Sequence, residues 1–486
     1  MKLDKILKEL NIEQIYGDLN IDINKITYDS RKAEKDTLFI CIKGFNCDGH
    51  RFIESAMEKG AIAFLVEDDI QIPGYTFIKV KDTRVAMAKV ADNFNNNPSR
   101  KLNVIGVTGT NGKTSITTFI SEILKLNNHK VGLIGTIKIS YGDKDIEANS
   151  TTPESVELQE YFSNMLNNDC DYCSMEVSSH SLALNRVDYT DFKLGIFTNL
   201  TQDHLDFHKN IDNYREAKEL LFYKTSKANI INIDDEGGQI IYSHIKDLDT
   251  PVYTYGIENK ADFMAKDIQI SAKGVSYKLI TPTYEDYIFV PVPGKFTVYN
   301  SLAVIAACYK LNVPKEIIKK GFNNTKGVPG RFETISNDKG VSVIVDYAHT
   351  PDAMENILKT TKEFAKSNII TVFGCGGDRD KTKRPIMGGI AQELSDFCII
   401  TTDNPRTEDP NLIIEDILCG LDRKIENYNI ITDREEAIKT AISMANKNDI
   451  VVITGKGHEN YQIIGTTKSH FDDKELANKY LFDDKK

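Results

Sequence analysis

The sequence lacks any feature that would carry the chain into or across a membrane. No uncharged apolar stretch reaches the about 18 residues that a transmembrane helix requires. The first residues, "MKLDKILKELNIEQIYGD", lack the continuous apolar core of a signal peptide, and Leu3, Ile6, Leu7 and Leu10 instead fall on one face of a helix. We therefore expect a cytoplasmic protein without membrane insertion.

Cysteine is scarce as well. The chain has 8 cysteines in 486 residues, and those inside apolar runs (Cys41, Cys308 and Cys398) are typical of small core residues in a reducing compartment. The one C-x-x-C, Cys170 to Cys173, leads into the strand-like "DYCSMEV" and has no second pair to complete a zinc site. A redox or metal role for this pair is therefore disfavoured.

An excess of positive charge is missing too. Lys and Arg total 60 against 71 Asp and Glu, and the net charge of -11 disfavours a general binder of nucleic acid or anionic membranes. Hydrophobic content of 41% and charged content of 27% are close to the globular average, and the sequence has no low-complexity tract. The chain should therefore fold, and any anionic ligand must be held by local groups.

Length and changes of pattern predict an α/β protein with three domains. From Lys25 to about Ser99, strand-like and helical runs alternate and end in the polar linker "NFNNNPSR", which indicates a small N-terminal domain. A doubly wound parallel sheet is predicted from "LNVIGVTG" onward, with an antiparallel extension between Pro251 and Pro293. The segment "NNTKGVPGRFE" marks the next boundary. The predicted domains are residues 1–99, 100–326 and 327–486.

The third predicted domain is the most regular. Five strands, from "VSVIVDYA" to "DIVVITG", alternate with crossover helices and predict a second doubly wound, Rossmann-like sheet. In such sheets, ligands bind beyond the carboxyl ends of the strands. The segments "FGCGGDRD", "TTDNPR" and "TGKGHE" all follow predicted strands, so we expect these loops to converge on one site.

The segment "GVTGTNGKTS", residues 106 to 115, is typical of a phosphate-binding loop between a strand and a helix. Its glycines let backbone N–H groups approach phosphate oxygens, Lys113 supplies a positive charge, and Thr114 can ligate Mg2+. The strict G-x-x-x-x-G-K-[ST] pattern would have glycine where this chain has Val107, so the loop is a variant.

A carboxylate and an imidazole follow two further strand-like runs. Glu176 lies in "SMEVSSH" and His204 in "FTNLTQDHLDFH". Together with the loop threonine, they suit a metal-assisted phosphoryl transfer, in which cations neutralise developing negative charge. We therefore predict that both residues lie near the phosphate-binding loop.

The motifs occur in a recognisable order. "TGTNGKT", "TTPE", "MEVSSH", "FTNLTQDHLDFH", "GKFTVYN", "GVPGRFE", "DYAHTPDA" and "GCGGDRDKTKRP" together resemble the Mur ligase family of peptidoglycan synthesis, from about Thr27 to Gln462. The resemblance implies an N-terminal UDP-substrate-binding domain, a central ATP-binding P-loop domain and a C-terminal amino-acid-binding Rossmann-like domain. It also implies ATP as co-substrate and Mg2+ as cofactor, and we expect a monomer.

The resemblance further implies an ATP-dependent amide ligase. In the family, the ATP γ-phosphate passes to the D-glutamate γ-carboxylate of UDP-MurNAc-L-Ala-D-Glu, and the amine of an incoming amino acid attacks the acyl phosphate. The "DNPR" and "GKGHE" segments most resemble members that add meso-diaminopimelate. A carboxylate becomes a usable electrophile only after its oxygen has been made a leaving group, so this order of steps is chemically sound.

Roles for individual residues also follow from the resemblance. The positions that match catalytic residues are Lys113, Glu176, His204 and Lys218, which is carbamylated in the family. The metal ligands would be Thr114, Glu176, His204 and the carbamate of Lys218. The ATP contacts would be Gly109, Thr110, Asn111, Gly112, Lys113, Thr114, Ser115, Asn300, Arg331 and Asp346. The UDP-substrate contacts would be Tyr28, Ser30, Phe45, Asn46, Cys47, Ser150, Thr151, Thr152, Ser178 and Arg186. The amino-acid contacts would be Arg379, Asp403, Asn404, Pro405, Arg406, Gly455 and Glu459.

Some positions depart from the family pattern or suggest a simpler role. Ser150 stands where an asparagine often precedes the threonine pair, and Leu184 stands where a polar residue is common, so Leu184 is not assigned to the site. Without the resemblance, the pattern of "YREAKELL" predicts that Lys218 is a charged residue on the surface of a helix. Asn300 in "YNSLAVIAACYKL" likewise predicts a helix N-cap.

The segment "TTDNPRTEDP" carries the question of specificity. Pro405 and Pro410 indicate a turn, and Asp409 or Asn411 could cap the next helix. A second carboxylate on the amino acid calls for a bidentate cation such as Arg406, whereas the distal ammonium of L-lysine would be repelled by it. The resemblance implies one pocket in which Arg379 and Arg406 face carboxylates and Glu459 faces an ammonium.

Two alternatives stay open at this point. The same reaction with L-lysine keeps all the chemistry and changes only the amino acid. A nucleotide-binding switch without ligase activity is the other, because P-loop sheets host many switches. Glu176, His204 and Lys218 together argue against the switch, and a related ligase acting on folate would leave "DNPR" and "GKGHE" unexplained.

Overall fold

The computed structural model describes residues 1–44, 47–271, 273–325, 327–337 and 340–482. Two compact units form, Met1–Tyr255 with Ala303–Pro314, and Gly256–Leu302 with Lys315 onward. Helices and mostly parallel strands alternate in both, which confirms the predicted α/β class. Within the described part of the chain, no helix combines the length and the apolar character needed to cross a lipid bilayer.

The first unit begins with a small α/β layer. Its elements are α1 (Leu3–Ile6), β1 (Gln14–Tyr16), β2 (Lys25–Thr27), β3 (Thr37–Ile40), α2 (Ile53–Glu58), β4 (Ala61–Val66), β5 (Thr76–Lys79) and α3 (Thr83–Phe94). The strands lie in the order β1-β5-β4-β3-β2, and only the β1–β5 pair is antiparallel. Leu3, Ile6 and Leu7 are buried in its core and Leu10 packs against it partly buried, so these residues share an apolar side as predicted, although the helix α1 ends at Ile6.

A larger sheet follows in the same unit. Its elements are β6 (Asn103–Thr108), α4 (Lys113–Leu126), β7 (Val131–Ile134), β8 (Lys138–Tyr141), β9 (Lys144–Glu147), α5 (Ser155–Asn167), β10 (Tyr172–Glu176), α6 (Ser179–Ala183), β11 (Phe192–Phe197), α7 (Leu205–His208), α8 (Ile211–Glu219), β12 (Thr225–Asn232), α9 (Glu236–Ile245) and β13 (Val252–Gly256). The order is β13-β12-β11-β6-β10-β7-β8-β9, parallel from β13 to β7. β6 lies between β10 and β11, so the loop that follows β6 sits at the switch point of the sheet, where such folds bind ligands.

The second unit contains an antiparallel ladder and two helices. They are β14 (Phe263–Ser271), β15 (Gly274–Ile280), β16 (Glu285–Val290), α10 (Lys295–Lys310) and α11 (Lys315–Asn324), the end of α10 belonging to the first unit. The antiparallel extension predicted between Pro251 and Pro293 is confirmed for β14 to β16, whereas β13 pairs in parallel with β12.

Asn300 does not cap a helix. The helix α10 begins at Lys295, and Asn300 lies inside it with 6% of its surface exposed. The start of the helix is set by the preceding Pro-Gly turn, in which Gly294 has φ +100° and the Thr297 side chain donates to the Pro293 carbonyl. The N-cap expectation was wrong because it gave weight to Asn300 and ignored this earlier turn signal.

The second unit ends in the predicted doubly wound sheet. Its elements are β17 (Glu333–Ser336), β18 (Ser342–Asp346), α12 (Pro351–Phe364), β19 (Ile369–Phe373), α13 (Lys383–Leu394), β20 (Phe397–Ile400), α14 (Pro410–Leu418), β21 (Tyr428–Ile430), α15 (Arg434–Met444), β22 (Ile450–Thr454), β23 (Tyr461–Ile464), β24 (Thr467–His470) and α16 (Asp473–Phe482). The order is β17-β18-β22-β19-β20-β21, parallel except for β17, and β23 and β24 form a separate hairpin. The five strands read from sequence are confirmed, whereas β17 and the hairpin were not predicted.

Both faces of this sheet are buried, which explains its continuous apolar strands. Val343 and Val345 pack into one core cluster, while Ile344 between them packs into the cluster on the opposite face. Val451 and Val452 divide in the same way. Helices on both faces therefore favour apolar residues, chiefly Val and Ile, at consecutive strand positions, as is typical of parallel sheets.

A buried ion pair joins strand ends to the last helix. Arg434 and Asp473 are both fully buried, and the guanidinium donates to the Asp473 carboxylate over 2.8 Å and 2.7 Å. The same guanidinium donates to the carbonyl of Thr402, just beyond β20, and to the carbonyl of Thr454, the last residue of β22. Arg434 thus fixes the starts of the two loops that contain "DNPR" and "GKGHE".

Replacing Arg434 with methionine should lower the free energy of unfolding by about 3 to 5 kcal/mol, because Asp473 is left buried without its partner. Urea unfolding followed by circular dichroism measures the change. Lys439→Met is the matched control, since Lys439 pairs with exposed Glu436 in the same helix and contributes less than about 1 kcal/mol. Equal effects of the two substitutions would contradict the role given to Arg434.

Candidate active site

The loop between β6 and α4 adopts a conformation that requires glycine at two positions. Gly109 has φ +144°, and a Cβ placed there would lie 1.8 Å from the Thr198 hydroxyl oxygen. Gly112 has φ +87° at the N-cap of α4. The departure at Val107 falls inside β6, where the side chain is fully buried, so it lies outside the glycine turn itself.

Hydrogen bonds pin this loop to the end of β11. The Thr198 hydroxyl donates to the Asn111 carbonyl over 2.6 Å, and the Asn111 N–H donates to the Asn199 side chain over 2.9 Å. The Thr110 N–H donates to the Asn199 carbonyl over 2.8 Å. These hydrogen bonds fix the conformation of the loop at the N-terminus of α4, where backbone N–H groups and the helix dipole favour an anion.

Two lysines share one acceptor in this loop. The ammonium groups of Lys113 and Lys218 each donate to the Gly109 carbonyl over 2.9 Å. Lys218 is 1% exposed, so the expectation of a helix surface charge was wrong: α8 turns this face onto the loop. Burial, followed by repulsion from Lys113, holds the pKa of Lys218 well below the usual lysine value.

Tyr214 connects Lys218 to the loop and to His204. The Lys218 ammonium lies 4.1 Å from the centre of the Tyr214 ring, and the His204 ring lies 6.1 Å from it. The Tyr214 hydroxyl is 3.4 Å from the Thr110 hydroxyl. Sequence reasoning missed Tyr214, although its position four residues before Lys218 puts both on one face of α8.

Glu176 is a buried carboxylate with neutral partners. It is 1% exposed and accepts hydrogen bonds from the Thr136 N–H over 2.9 Å and the Thr136 hydroxyl over 3.1 Å. Among the described residues, no Lys, Arg or His forms an ion pair with it. Glu176 pairs with Val107 across β10 and β6, so it lies beside the start of the phosphate-binding loop.

His204 lies at the edge of this region with a strained backbone. Its φ is +53°, a left-handed value that a non-glycine residue rarely adopts, and its Nε2 is 3.4 Å from the Asp203 carboxylate. The ring packs 4.8 Å from the ring of His180 in α6, the helix that follows Glu176. The structure therefore brings His204, Lys218 and the loop together around Tyr214.

The one compact group of three metal-capable His, Cys, Asp or Glu side chains in the described ranges lies elsewhere, at Asp48, His50 and Asp68. There the His50 Nδ1 is 2.6 Å from Asp48, and its Nε2 accepts the Glu67 N–H. Both ring nitrogens are thus already engaged, and this cluster is assigned no ligand.

The residues expected to contact the UDP substrate fall into two groups. The Thr152 hydroxyl donates to the Glu176 carbonyl and accepts the Ser178 N–H, and the Thr152 carbonyl accepts from Ser150 and Arg186. The Thr151 hydroxyl is 3.0 Å from the hydroxyl of Thr136. This first group is therefore joined directly to Glu176.

The second group lies on the small N-terminal layer. The Tyr28 hydroxyl donates to Glu157 of α5, and burial raises the pKa of Tyr28 above its usual value. Ser30 is buried in a short 3-10 helix, and Cys47 is exposed. Phe45 and Asn46 lie outside the described residues.

In the second unit, three loops meet where the sequence predicted one site. The Arg406 guanidinium donates to the Gly377 carbonyl over 2.8 Å, and the Gly377 N–H donates to the Asn404 carbonyl over 2.9 Å. A Cβ on Gly455 would lie 2.5 Å from the Asp403 carboxylate. Arg379 is exposed, and its guanidinium donates only to the Asp378 carbonyl among the described contacts.

Arg406 itself has an unusual backbone. Its φ is +51°, and its N–H and C=O bond to Ile463 and Gly465 in the β23–β24 hairpin. Two main-chain hydrogen bonds thus hold a conformation that a non-glycine residue seldom adopts. Pro405 is buried before it, and Asp409 rather than Asn411 caps α14, accepting the Asn411 N–H.

Glu459 already faces an ammonium group from its own loop. Lys456 is fully buried, and its ammonium lies 3.4 Å from Oε2 of Glu459 and 3.2 Å from Oδ1 of Asn404. The Asn404 side-chain amide also donates to Oε2 of Glu459 over 2.8 Å. Both contacts are made to the same oxygen, Oε2, and they fix the orientation of the Glu459 carboxylate.

Arg331 and Asp346, expected to contact ATP, are neighbours in the second unit. Asp346 accepts the N–H groups of Phe332 and Ala348, and burial raises the pKa of this carboxyl despite the nearby Arg331. The Arg331 guanidinium stacks 4.8 Å from the Tyr347 ring.

Several residues that shape these loops were not predicted. Arg384 is fully buried, donates to Glu408, Asp416 and the Gly376 carbonyl, and lowers the pKa of Glu408 to about 2. Arg434, Lys456, Tyr214 and Thr136 were missed as well. The sequence around a charged residue in an apolar helix, or around a threonine after a strand, does not indicate which distant residues will be its hydrogen-bond partners.

A glycine-rich loop between a parallel strand and a helix, at the switch point of a doubly wound sheet, defines a protein of the P-loop class. Profiles of the Mur ligase family match three consecutive segments: the catalytic domain at residues 22–108, the middle domain at 107–308 and the glutamate ligase domain at 330–457. The chain belongs to the Mur ligase family, which confirms the resemblance read from its motifs.

Relatives of known name match over the full length. The UDP-N-acetylmuramoyl-L-alanyl-D-glutamate-2,6-diaminopimelate ligase of Clostridioides difficile (strain 630) is 69% identical over 481 residues, covering 99% of both chains. The ligase of the same name from Alkaliphilus metalliredigens (strain QYMF) is 50% identical over 489 residues, covering 100% of this chain and 99% of its own.

Solved structures agree in fold. A structure of a UDP-N-acetylmuramoyl-L-alanyl-D-glutamate-2,6-diaminopimelate ligase matches with a TM-score of 0.74 and 30% identity, over 99% of this chain and 98% of that one. MurF from Acinetobacter baumannii matches with a TM-score of 0.63 and 20% identity, over 90% and 91%. The second likeness shows the shared fold alone.

The lowered pKa of Lys218 predicts selective reaction with CO2. Because the folded protein disfavours its protonated form, the amine becomes neutral as pH rises toward 10.5 while ordinary lysines are still protonated. In 13C-bicarbonate, a carbamate NMR signal should therefore appear at lower pH than for exposed lysines. Lys113→Met removes the repelling charge and should move its onset to higher pH.

Lys218→Arg is the matched control, because arginine keeps a cation at this position and stays protonated. It should lack the carbamate signal that begins at lower pH and keep only the signals of the exposed lysines at higher pH. A signal that begins together with that of the exposed lysines would contradict the prediction.

Proposed function

We propose that this protein is an ATP-dependent amide ligase that joins meso-diaminopimelate to the D-glutamate γ-carboxylate of UDP-MurNAc-L-Ala-D-Glu. The relatives that cover the whole chain at 69% and 50% identity bear the name of this activity. One structural observation carries the proposal. The phosphate-binding loop with Lys113 follows β6, and Glu176, a buried carboxylate without an ion-pair partner among the described residues, ends the neighbouring strand β10.

The reaction has two covalent steps. A γ-carboxylate oxygen of the D-glutamate attacks the γ-phosphorus of ATP, forming a C–O–P linkage and releasing ADP. The amine of diaminopimelate then attacks the acyl carbon, the C–O bond to phosphate breaks, and the nitrogen loses a proton. Positive charge at Lys113 and backbone N–H groups of the loop would stabilise the phosphoryl oxygens as negative charge develops.

The ATP contacts assigned from the sequence form part of the proposal. Residues 109–115 lie at the N-terminus of α4 with their main chain pinned to β11, which supports phosphate binding. Asn300, Arg331 and Asp346 are proposed to contact the nucleotide from their own unit. The stacking of Arg331 on Tyr347 supports a preformed arrangement there.

Mg2+ fits the donor chemistry of the first unit. Glu176 is a buried carboxylate without a cationic partner in the described chain, and buried charges of this kind are usually paired or bind metal. Glu176, the Thr114 hydroxyl and a carbamate on Lys218 would supply oxygen ligands, which Mg2+ prefers, with His204 as a less typical nitrogen ligand. The cation would neutralise charge on the phosphoryl group during transfer.

Carbamylation of Lys218 belongs to the same proposal. The ammonium first loses a proton; the neutral amine then attacks CO2, an N–C bond forms as one C–O π bond becomes a carboxylate lone pair, and the nitrogen releases a second proton, so a cation becomes an anion. The pKa of Lys218, lowered by burial and by Lys113, supports a population of neutral amine. The new carboxylate would also relieve the repulsion between the two ammonium groups beside Gly109.

Recognition of diaminopimelate is proposed for the three loops of the second unit. Arg406 and Arg379 would bind carboxylates, and Glu459 would bind an ammonium, with Asp403, Asn404, Pro405 and Gly455 shaping the site. Oε2 of Glu459 is engaged by Asn404 and Lys456, and Oε1 makes no hydrogen bond among the described contacts, so Oε1 is proposed to accept from the ligand ammonium. L-lysine is the alternative substrate, and the placement of Arg406 favours an amino acid with a second carboxylate.

The remaining assignments complete the proposal. The domains would be residues 1–99 for the UDP substrate, 100–326 for ATP and 327–486 for the amino acid. Tyr28, Ser30, Phe45, Asn46, Cys47, Ser150, Thr151, Thr152, Ser178 and Arg186 are proposed to bind the UDP-linked dipeptide. A monomer in the cytoplasm is proposed, and the eight free cysteines support a reducing compartment.

Purified protein should release phosphate from ATP only when Mg2+, UDP-MurNAc-L-Ala-D-Glu and meso-diaminopimelate are all present, because each supplies a reacting group or neutralises charge. Coupled phosphate detection and mass spectrometry of the amide measure this. Turnover with L-lysine and none with diaminopimelate would overturn the choice of amino acid. ATP binding by calorimetry without any amide product would favour the nucleotide switch.

Arg406→Ala should reduce kcat/KM for diaminopimelate by an amount equivalent to about 2 to 5 kcal/mol, as for removal of one partner of a buried charge pair. Arg406→Lys should recover part of the loss, because lysine keeps the charge and loses the bidentate geometry. An amino-acid panel measured with each variant checks this. Arg423→Ala, an exposed arginine of the same unit, should leave the rate unchanged.

An undiminished rate with diaminopimelate in the Arg406→Ala variant would mean that another residue reads its distal carboxylate.

A further inference from the structure

Thr136 makes contacts that connect two parts of the proposed site. Its backbone N–H and its hydroxyl donate to the two carboxylate oxygens of Glu176, over 2.9 Å and 3.1 Å. The same hydroxyl oxygen lies 3.0 Å from the hydroxyl oxygen of Thr151. One small side chain thus touches both the proposed cation ligand and a proposed UDP-substrate residue.

The direction of these hydrogen bonds follows from the groups involved. An ionised carboxylate only accepts hydrogen bonds, so the single hydroxyl hydrogen of Thr136 goes to Glu176. The contact between the two hydroxyls must then have Thr151 as donor and Thr136 as acceptor. The result is a directed chain from Thr151 through Thr136 to Glu176.

The sheet register produces this arrangement. β7 and β10 are parallel neighbours with Ile134 opposite Met175, so the residues after β7 meet the end of β10. Gly135 allows the close approach, because a Cβ there would lie 2.4 Å from a Glu176 carboxylate oxygen. Gly135 and Thr136 therefore act together, one by making room and the other by donating two hydrogen bonds.

We infer that Thr136 is a positioning residue, which orients Glu176 for a divalent cation and links this carboxylate to Thr151 in the UDP-substrate site. The inference rests on the proposed function and adds a specificity statement to it. Because the hydroxyl hydrogen of Thr151 is used by Thr136, the Thr151 hydroxyl offers the substrate only a lone pair. This hydroxyl is therefore inferred to accept from an N–H or O–H group of the UDP-linked dipeptide, and not to donate to a phosphate or carboxylate oxygen.

The first test measures cation affinity without any reaction. Binding of Mn2+ to the substrate-free protein, followed by electron paramagnetic resonance, should be about 10-fold weaker in Thr136→Val, which keeps the shape and the backbone N–H but removes the hydroxyl. Thr136→Ser should restore the affinity. Thr250→Val is the matched control, because the Thr250 hydroxyl donates to the Thr225 carbonyl in the same unit and lies outside the chain from Thr151 to Glu176.

The second test separates linkage from simple support of Glu176. Thr151→Val leaves both Thr136 contacts to Glu176 in place, so it should raise KM for the UDP-linked dipeptide while leaving Mn2+ affinity near that of the wild type. Thr136→Val should raise the same KM with no change in KM for diaminopimelate. In the double variant, the fold-increase in KM should be smaller than the product of the two single fold-increases, because the two hydroxyls act as a unit.

The outcomes divide cleanly. Wild-type protein that binds no Mn2+ and forms no amide would refute the proposed function. An active wild type together with a folded Thr136→Val variant of unchanged Mn2+ affinity and dipeptide KM would overturn the role of Thr136. If Thr136→Val does not fold, as judged by circular dichroism, Thr151→Val decides: an unchanged dipeptide KM overturns the linkage, and a raised one supports it.

Discussion

The Gly109 carbonyl oxygen accepts hydrogen bonds from two ammonium groups, the half-buried one of Lys113 and the buried one of Lys218, and the proposed active site depends on this contact. It holds Lys113 and Lys218 close together, and their repulsion adds to burial in lowering the pKa of Lys218. The contact exists only because glycine lets the loop pass beside Thr198. The same backbone that is proposed to bind phosphate therefore also holds the two lysines whose repulsion lowers the pKa of Lys218.

Around this point, charge is arranged by strand order. β6, β10 and β7 are adjacent and parallel, so their carboxyl ends place the loop, Glu176 and Thr136 side by side. The half-buried ammonium of Lys113, the buried ammonium of Lys218 and the buried carboxylate of Glu176, which has no ion-pair partner among the described residues, leave charges that are not balanced within the described chain. A cation beside Glu176 and a carbamate on Lys218 would balance these charges, which is the physical reason to read the region as a ligase centre.

In the second unit, loops are likewise placed side by side at the carboxyl ends of parallel strands, and other residues hold them there. Its loops follow β19, β20 and β22, and two fully buried arginines stabilise them. Arg384 forms ion pairs with Glu408 and Asp416, and Arg434 forms one with Asp473. Lys456 and Asn404 direct Glu459, and the β23–β24 hairpin fixes the backbone of Arg406. Rigid support of this kind is what recognition of an amino acid at both ends requires.

The sequence by itself determined the strand and helix alternation, the glycine loop and the family, because hydrophobic period and turn chemistry are local properties. Even the departure at Val107 proved to lie within a strand. Only the tertiary structure decided that Lys218 is buried, that Asn300 lies inside a helix, and that Thr136 meets Glu176. Burial and hydrogen-bond partners depend on segments far apart in the chain, which no local pattern records.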